Sequence, residues 1–141
     1  MCRWGIDLKG SWMRGRDLLR EDWLPYMSPA RLTPQIQFLP KGKKEGMRVP
    51  SFSVGWSWMW LQRQVPDIPD FALPPGGFAL LSASAFWLLT VQGVPLEVGL
   101  SGENLLNTRY REYFNRFRYF ADEPGHNVML RLKWSFGQSE L

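Results

Sequence analysis

The sequence predicts an all-β fold, a six-stranded antiparallel meander. Large apolar residues alternate with small or polar ones over six segments, and this period of two places successive side chains on opposite faces of a strand. The connections alternate between long and short, as in membrane-spanning barrels with long outer loops and short turns at the other end. Aromatic residues make up 15% of the chain and include eight Trp, a side chain favoured where one end of the ring is dry and the other wet.

The first two predicted strands cover residues 3–14 and 31–39. In each segment, the residues at alternate positions are mostly apolar and those between them mostly polar. One face of the strand is therefore apolar and the other polar. The charged, proline-containing stretch between them, 15–30, predicts a long loop, with a short amphipathic helix over 17–23 as the alternative. Pro34 argues against a central position for the second strand, because proline donates no hydrogen bond to a neighbouring strand.

The third predicted strand, residues 48–62, has the clearest alternation in the chain. Its five large apolar residues lie opposite small polar ones, which suits a strand with lipid or a core on one side and water on the other. A helix would scatter these side chains around its axis. The basic stretch over 40–46 is interpreted as a solvated turn between strands rather than a phosphate or nucleic-acid patch.

The second half of the chain follows the same scheme. In order, it predicts a proline-rich long loop (63–77), a strand (78–91), a tight turn (92–95), a strand (94–104), a long loop (105–126) and a strand (127–136). Residues 1–136 thus form one domain, followed by a polar tail over 137–141. Residues 71–96 carry no charge, but prolines and glycines leave an uninterrupted part shorter than the roughly 20 apolar residues that a spanning helix needs.

Several classes of site are excluded by residue counts. The one cysteine, Cys2, allows no internal disulfide, and the one histidine, His126, leaves no zinc cluster of Cys and His. No Ser/His/Asp or Cys/His set can be assembled, so we predict no enzyme activity, and we expect no catalytic residue, metal or cofactor. The net charge of +4 is mild, and it gives no reason to expect a nucleic-acid partner.

Two segments, ENLLNTRYREY (103–113) and FRYFADEPGHNVMLRLKWSF (117–136), resemble the C-terminal end of TonB-dependent outer-membrane receptors. That family typically closes its barrel with an N-L-F/L-N-x-x-Y segment, an outer loop, a P-G-R-N-like turn and a final strand ending on an aromatic residue. The matching positions are Asn104, Leu105, Asn107, Tyr110, Pro124, Gly125, Asn127 and Phe136. Residues 74–89 and 24–32 resemble the family's preceding segments. The chain departs from the pattern at His126, where arginine is commoner, and in the GQSEL that follows the last aromatic.

The resemblance implies an incomplete part of a large transmembrane β-barrel in the cell outer membrane. The family has an N-terminal plug and a barrel of about 22 strands, so six strands are expected to form an open antiparallel sheet that is not functional alone. The full receptor would take up a scarce nutrient of the siderophore, haem, cobalamin or glycan type. The implied partners are outer-membrane lipid, the missing N-terminal barrel and plug, the TonB system and, through the last strand, the barrel-assembly machinery.

Two sets of side chains are the candidate interaction residues. The first set is predicted to face lipid or to form an aromatic girdle: Trp56, Trp58, Trp60, Trp87, Trp134 and Phe136. The second set lies in the third long loop, where basic and aromatic residues interleave: Arg109, Arg111, Tyr113, Arg116, Arg118 and Tyr119. This loop is interpreted as an outer extension of two strands whose arginines meet anionic sugars or line the mouth, with direct ligand contact as an alternative.

A second hypothesis belongs to a different class of protein. The chain would be a small soluble β-domain that binds a partner or single-stranded nucleic acid through its aromatic and arginine surface, since bases stack on aromatic rings. In that case Trp56, Trp58 and Trp60 would form a core. The two hypotheses therefore make opposite predictions about the exposure of these three side chains.

Overall fold

The computed structural model describes residues 2–40, 43–44, 47–48, 50–67, 70 and 72–134. Its main element is a six-stranded antiparallel sheet with the order β1-β4-β7-β8-β9-β10, and two small hairpins pair β2 with β3 and β5 with β6. In chain order the strands are β1 (Cys2–Ser11), β2 (Arg16–Asp17), β3 (Asp22–Trp23), β4 (Arg31–Pro40), β5 (Lys43–Lys44), β6 (Met47–Arg48), β7 (Ser51–Met59), β8 (Phe78–Val91), β9 (Val94–Glu103) and β10 (Asn127–Trp134).

The predicted fold class is confirmed: the protein is all-β, and each strand of the main sheet pairs with its neighbours along the chain. The sheet is open, with β1 and β10 at its edges. Among the described residues, no helix has the length and hydropathy needed to cross a membrane.

Two predicted strands are too long. The strand predicted over 3–14 ends at Ser11, because its partner β4 begins only at Arg31, after Pro29. The strand predicted over 48–62 covers Ser51–Met59 and begins directly after Pro50, which has no N–H to donate.

Other predicted segments differ in kind or fall partly outside the described residues. The alternative of a helix over 17–23 is wrong, since β2 and β3 pair there. The short connection predicted over 40–46 is longer than expected, because β5 pairs with β6 and the hairpin continues to residue 48. Positions 135–136 of the last predicted strand, and the tail over 137–141, lie outside the described residues.

Pro34 occupies an interior strand, contrary to the expectation that it would exclude a central position. It pairs in register with Leu8 of β1, whereas the ladder between β4 and β7 skips Thr33 and Pro34. Beside this gap, Thr33 Oγ1 and Ser57 Oγ lie 3.2 Å apart and link the two strands through their side chains. A single proline is thus accommodated by a local gap in one ladder.

The register joins the apolar parities of all strands into one continuous face. Directly paired residues of an antiparallel sheet lie on the same face, and two apolar rows cross the six strands without a break. The first row is Trp4, Phe38, Phe52, Ala85, Leu100 and Leu130. The second row is Ile6, Ile36, Val54, Ala83, Gly102 and Val128. The opposite face carries small polar contacts such as Ser53 Oγ to Ser84 Oγ at 2.7 Å.

This apolar face is exposed over most of its extent. Ile6 is 82% exposed and Leu130 is 63% exposed, although both lie within strands of the sheet. Among the described residues only Met27, Met59, Ala85 and Tyr113 are buried hydrophobics. A sheet normally buries one face against a second layer of structure, and here no second layer covers the apolar face in the described part of the chain.

Candidate functional site

Aromatic side chains mark both ends of the apolar face. Near the short connections lie Trp4, Phe38, Phe52, Trp87 and Trp134, which we call the short-turn belt. Within it, the ring centroids of Trp4 and Phe38 are 4.9 Å apart and those of Phe52 and Trp87 are 6.2 Å apart. Near the long loops lie Trp12, Trp56, Trp58 and Trp60, the long-loop belt. Mainly aliphatic residues fill the face between the two belts.

Between their outermost members, the belts lie about as far apart as the apolar layer of a membrane is thick, whereas Trp56 is only four residues, or about 13 Å, from Phe52. Phe52 and Trp58 are six residues apart on β7, which is about 20 Å at about 3.3 Å per residue. Trp4 and Trp12 are eight residues apart, or about 26 Å along an extended chain. The outward-facing apolar band of membrane barrels is about 25 Å tall and is bounded by aromatic girdles at both interfaces.

The short-turn belt is inclined to the strands. Trp87 lies two residues beyond the row that contains Trp4 and Phe52, and Trp134 lies four residues beyond it, on the other edge strand. Four residues of about 3.3 Å over five strand steps of about 4.8 Å give an inclination of about 30°. Strands of membrane barrels are tilted by about 35–45°, so the belt has the slope that a tilted sheet would give it.

Five of the six predicted girdle residues lie in these belts, and they divide between the two ends. Trp56, Trp58 and Trp60 belong to the long-loop belt, whereas Trp87 and Trp134 belong to the short-turn belt. Phe136 lies outside the described residues. Trp4, Trp12, Phe38 and Phe52 lie in the same belts but are absent from the predicted girdle set, although their parity in the sequence already placed each of them on the apolar face.

The second and third long loops are joined by a buried arginine. The Arg118 side chain is only 2% exposed. Its Nη2 donates to Asp70 Oδ2 at 2.5 Å, and its guanidinium lies 4.8 Å from the centroid of the Tyr113 ring. The Tyr119 hydroxyl donates to the other oxygen of Asp70, also at 2.5 Å. Arg118 and Tyr119 thus hold the two loops together through Asp70.

A second ion-pair group closes the third loop on itself. Arg111 Nε donates to Asp122 Oδ1 at 2.5 Å, and Arg109 Nη2 lies 3.1 Å from Asp122 Oδ2. Arg111 also donates to the backbone carbonyl of Arg118 at 2.8 Å. Arg116 differs from these arginines. It is exposed, it lies 6.0 Å from the Tyr26 ring centroid, and no carboxylate of the described residues forms a salt bridge with it.

The position of Asp122 predicts a pH-dependent loop. The hydrogen bond from Arg111 lowers the pKa of Asp122 below its usual value, so its ionised form stabilises the folded loop. This stabilisation is present above the unfolded-state pKa and is lost as the pH falls through the lowered folded-state pKa. We therefore expect the protection factors of the backbone amides in residues 109–123, taken relative to the intrinsic exchange rate at each pH, to fall in acid, below the usual range for aspartate. An Asp122→Asn variant should show fast exchange already at neutral pH and lose this acid transition.

The residues that match the receptor motif converge at the base of the third loop. Asn104 is buried and has a positive φ of 47°. Its Nδ2 donates to the carbonyls of Thr108 at 2.9 Å and Pro124 at 3.4 Å, and its Oδ1 accepts from the Thr108 amide at 2.8 Å. One asparagine thereby joins both ends of the loop. Asn127 begins β10, opposite Glu103, at the same base.

Asn107, Gly125 and Tyr110 complete this base. Asn107 Oδ1 accepts from the His126 amide at 3.2 Å, and a Cβ on Gly125 would lie only 2.5 Å from the same oxygen. A side chain at 125 would therefore displace the Asn107 carboxamide from its contact with the His126 amide. The Tyr110 ring packs on Phe78 with centroids 4.4 Å apart, and its carbonyl accepts from the Glu123 amide at 2.9 Å.

The three long loops enclose a cleft of about 820 Å³. Tyr26 of the first loop, Val65 of the second and Tyr113, Arg116 and Phe120 of the third are among its lining residues. Its volume falls within the range of about 300–1,000 Å³ typical of small-molecule sites. Among the long loops, the sequence predicted an interaction site in the third only. That the first and second loops also line the cleft depends on contacts between residues far apart in sequence, which no local pattern encodes.

The chain was also compared with known proteins. Neither a protein-family model, nor a curated protein, nor a solved structure matches it. Within the described ranges, no group of three or more His, Cys, Asp or Glu side chains is placed to hold a metal ion.

Proposed function

We propose that this chain is the C-terminal barrel segment of a TonB-dependent outer-membrane receptor for nutrient uptake. The observation that carries the proposal is the exposed apolar face that runs unbroken over six strands between two aromatic belts. Contiguous exposed apolar patches beyond a few hundred Å² mark membrane or protein interfaces. A face with an aliphatic middle and aromatic margins fits lipid, because Trp and Tyr concentrate at the two membrane–water interfaces.

The base of the third loop supports the family named in the proposal. Asn104, Asn107, Tyr110, Pro124 and Gly125 were selected by their match to the receptor motif, and they meet around one loop base. The motif therefore has a physical reason in this chain: it joins the two ends of a long loop above the last hairpin. The ligand of the full receptor would be of the siderophore, haem, cobalamin or glycan type.

The two edges of the sheet define what the proposed segment needs. β1 and β10 each pair with one neighbour in the sheet, and an unpaired edge in lipid costs several kcal/mol for each orphan backbone group. In the proposed receptor these edges pair with further strands of the barrel, and the plug and TonB system act on the closed assembly. The sheet alone does not transport a ligand.

The lipid interpretation also accounts for side chains that the soluble-domain hypothesis assigns to a core. Trp58 is 42% exposed and Trp60 is 51% exposed, which is unlike the core of a soluble domain, whereas Trp56 is half-buried. Arg109, Arg111 and Arg118 are held by carboxylates, and this leaves them less able to neutralise a nucleic-acid strand.

Depth-dependent fluorescence quenching tests the proposal. The full chain is reconstituted into liposomes that carry brominated lipids, in variants with a single Trp and all other Trp residues replaced by Phe. Trp58 and Trp87 should be quenched most by bromines near the headgroups, and a Trp placed at Val54 should be quenched most by bromines deep in the acyl chains. Trp23, in the small hairpin of the first loop, is the control and should be quenched least. The proposal would be contradicted by a chain that is monodisperse without detergent and whose Trp at position 54 is not quenched by bromines deep in the acyl chains.

A further inference from the structure

The cleft between the three long loops combines apolar walls with the charge of Arg116, which forms no salt bridge within the described part of the chain. Tyr26 and Phe120 are exposed aromatic rings on its walls, and Val65 and Pro66 add aliphatic surface. A ring-shaped ligand can stack on such walls, because aromatic pairs gain about 0.5–1.5 kcal/mol beyond the burial of their area.

The charges of the cleft decide the sign of the ligand. Asp70 lines the cleft, but both of its carboxylate oxygens already accept hydrogen bonds, one from Arg118 and one from Tyr119. Arg116 lines it without a salt bridge to any carboxylate of the described residues, and its contact with Tyr26 is a cation–π contact at 6.0 Å. The cleft therefore offers a cation to a ligand and no free acid that would attract a basic ligand.

We propose that this cleft binds a small organic anion that carries a flat ring, with the ring between Tyr26 and Phe120 and the anionic group on Arg116. A planar guanidinium holds a carboxylate through two parallel hydrogen bonds. Neutral sugars fit less well, since they carry no anionic group for the Arg116 guanidinium. The inference rests on the proposed function in that it identifies the class of ligand taken at the outward end of the receptor segment.

The test uses the full chain in detergent micelles with 2-naphthoate as the probe, observed by saturation-transfer NMR. Two compounds separate the contributions: 2-naphthylmethanol has the ring without the charge, and cyclohexanecarboxylate has the charge without the flat ring. We expect 2-naphthoate to bind most tightly of the three. Arg116→Gln should weaken its binding about tenfold or more, which corresponds to about 1.4 kcal/mol for one charge-assisted contact.

Arg109→Gln is the matched control, because Arg109 is in the same loop and is paired with Asp122 away from the cleft lining. The Arg109→Gln variant should bind the probe as the wild-type chain does. Micelles without protein give the background signal of the probe. Equal binding by the wild-type chain and Arg116→Gln, equal losses in the two arginine variants, or equal binding of the uncharged alcohol would each overturn the inference. Insertion into liposomes without probe binding would remove only the cleft proposal, whereas probe binding without insertion would remove only the receptor proposal.

Discussion

Under the proposed function, replacing Val54 by Lys is expected to destabilise the sheet in liposomes by about 2–4 kcal/mol, the cost of a cation at a lipid-facing position near the middle of a bilayer. Val54 lies in the apolar row between the two aromatic belts. The residues paired with it on the two adjacent strands are also apolar. The ammonium group would have no carboxylate partner in this row. Its aliphatic neighbours would also leave the charge without hydration. The measurement is the urea midpoint for unfolding of the chain from liposomes.

The adjacent residue provides the control for this substitution. Ser53 is on the same strand but faces the polar side, where its hydroxyl contacts Ser84 at 2.7 Å. Ser53→Lys should cost less than about 1.5 kcal/mol, the usual net contribution of one hydrogen bond. Equal destabilisation by the two lysines would mean that the apolar face does not meet lipid.

Replacing Arg118 by Met is expected to loosen the second and third long loops at a cost of about 1.5–3 kcal/mol, because it removes the charge-assisted hydrogen bond that the buried guanidinium donates to Asp70. Asp70 would keep only the hydrogen bond from Tyr119 among the contacts described above, and the Tyr113 ring would lose its cation. The amide hydrogens of Phe120 and Glu123, which donate to the carbonyls of Phe117 and Tyr110, should then exchange faster in hydrogen-exchange measurements. The amides of the sheet strands should keep their protection.

Two further variants distinguish a buried ion pair from a general effect of losing charge. The Arg109 side chain is 88% exposed, so Arg109→Met should cost no more than about 1 kcal/mol, as is usual for surface ion pairs. Combining Arg118→Met with Asp70→Asn should cost less than the sum of the two single substitutions, since both break the same contact. Protection that is equal in Arg118→Met and the wild-type chain would contradict the role assigned to this arginine.

The fold was largely predictable because its signals are local. Alternation assigns a face to every residue of a strand without knowledge of its partner, as in Trp56 and Trp58 against Ser57. Short and long connections then order the strands, and the observed meander follows that order. Pro34 shows the limit of such rules. A propensity argument excluded it from an interior strand, but a local gap in one ladder, beside the hydroxyl contact between Thr33 and Ser57, accommodates it.

The candidate site was predictable only in part. The motif positions Asn104 and Gly125 were found in the sequence, yet their contact depends on how the loop returns to the sheet. The arginines of the third loop have the same residue type and similar neighbours in sequence, so their roles could not be separated. Arg118 is buried against Asp70, which lies 48 residues away, whereas Arg116, two positions earlier, remains exposed in the cleft.

The sequence by itself determined the strands, their faces and their order, because a period of two and the spacing of turn residues are properties of the chain alone. The tertiary structure decided the register, which aligns Trp4 with Phe38 and Phe52 and sets Trp87 and Trp134 on an inclined belt. It also decided which charges are neutralised. Both depend on contacts between residues far apart in sequence, whose distances are fixed only when the strands pair and the loops close over one end of the sheet.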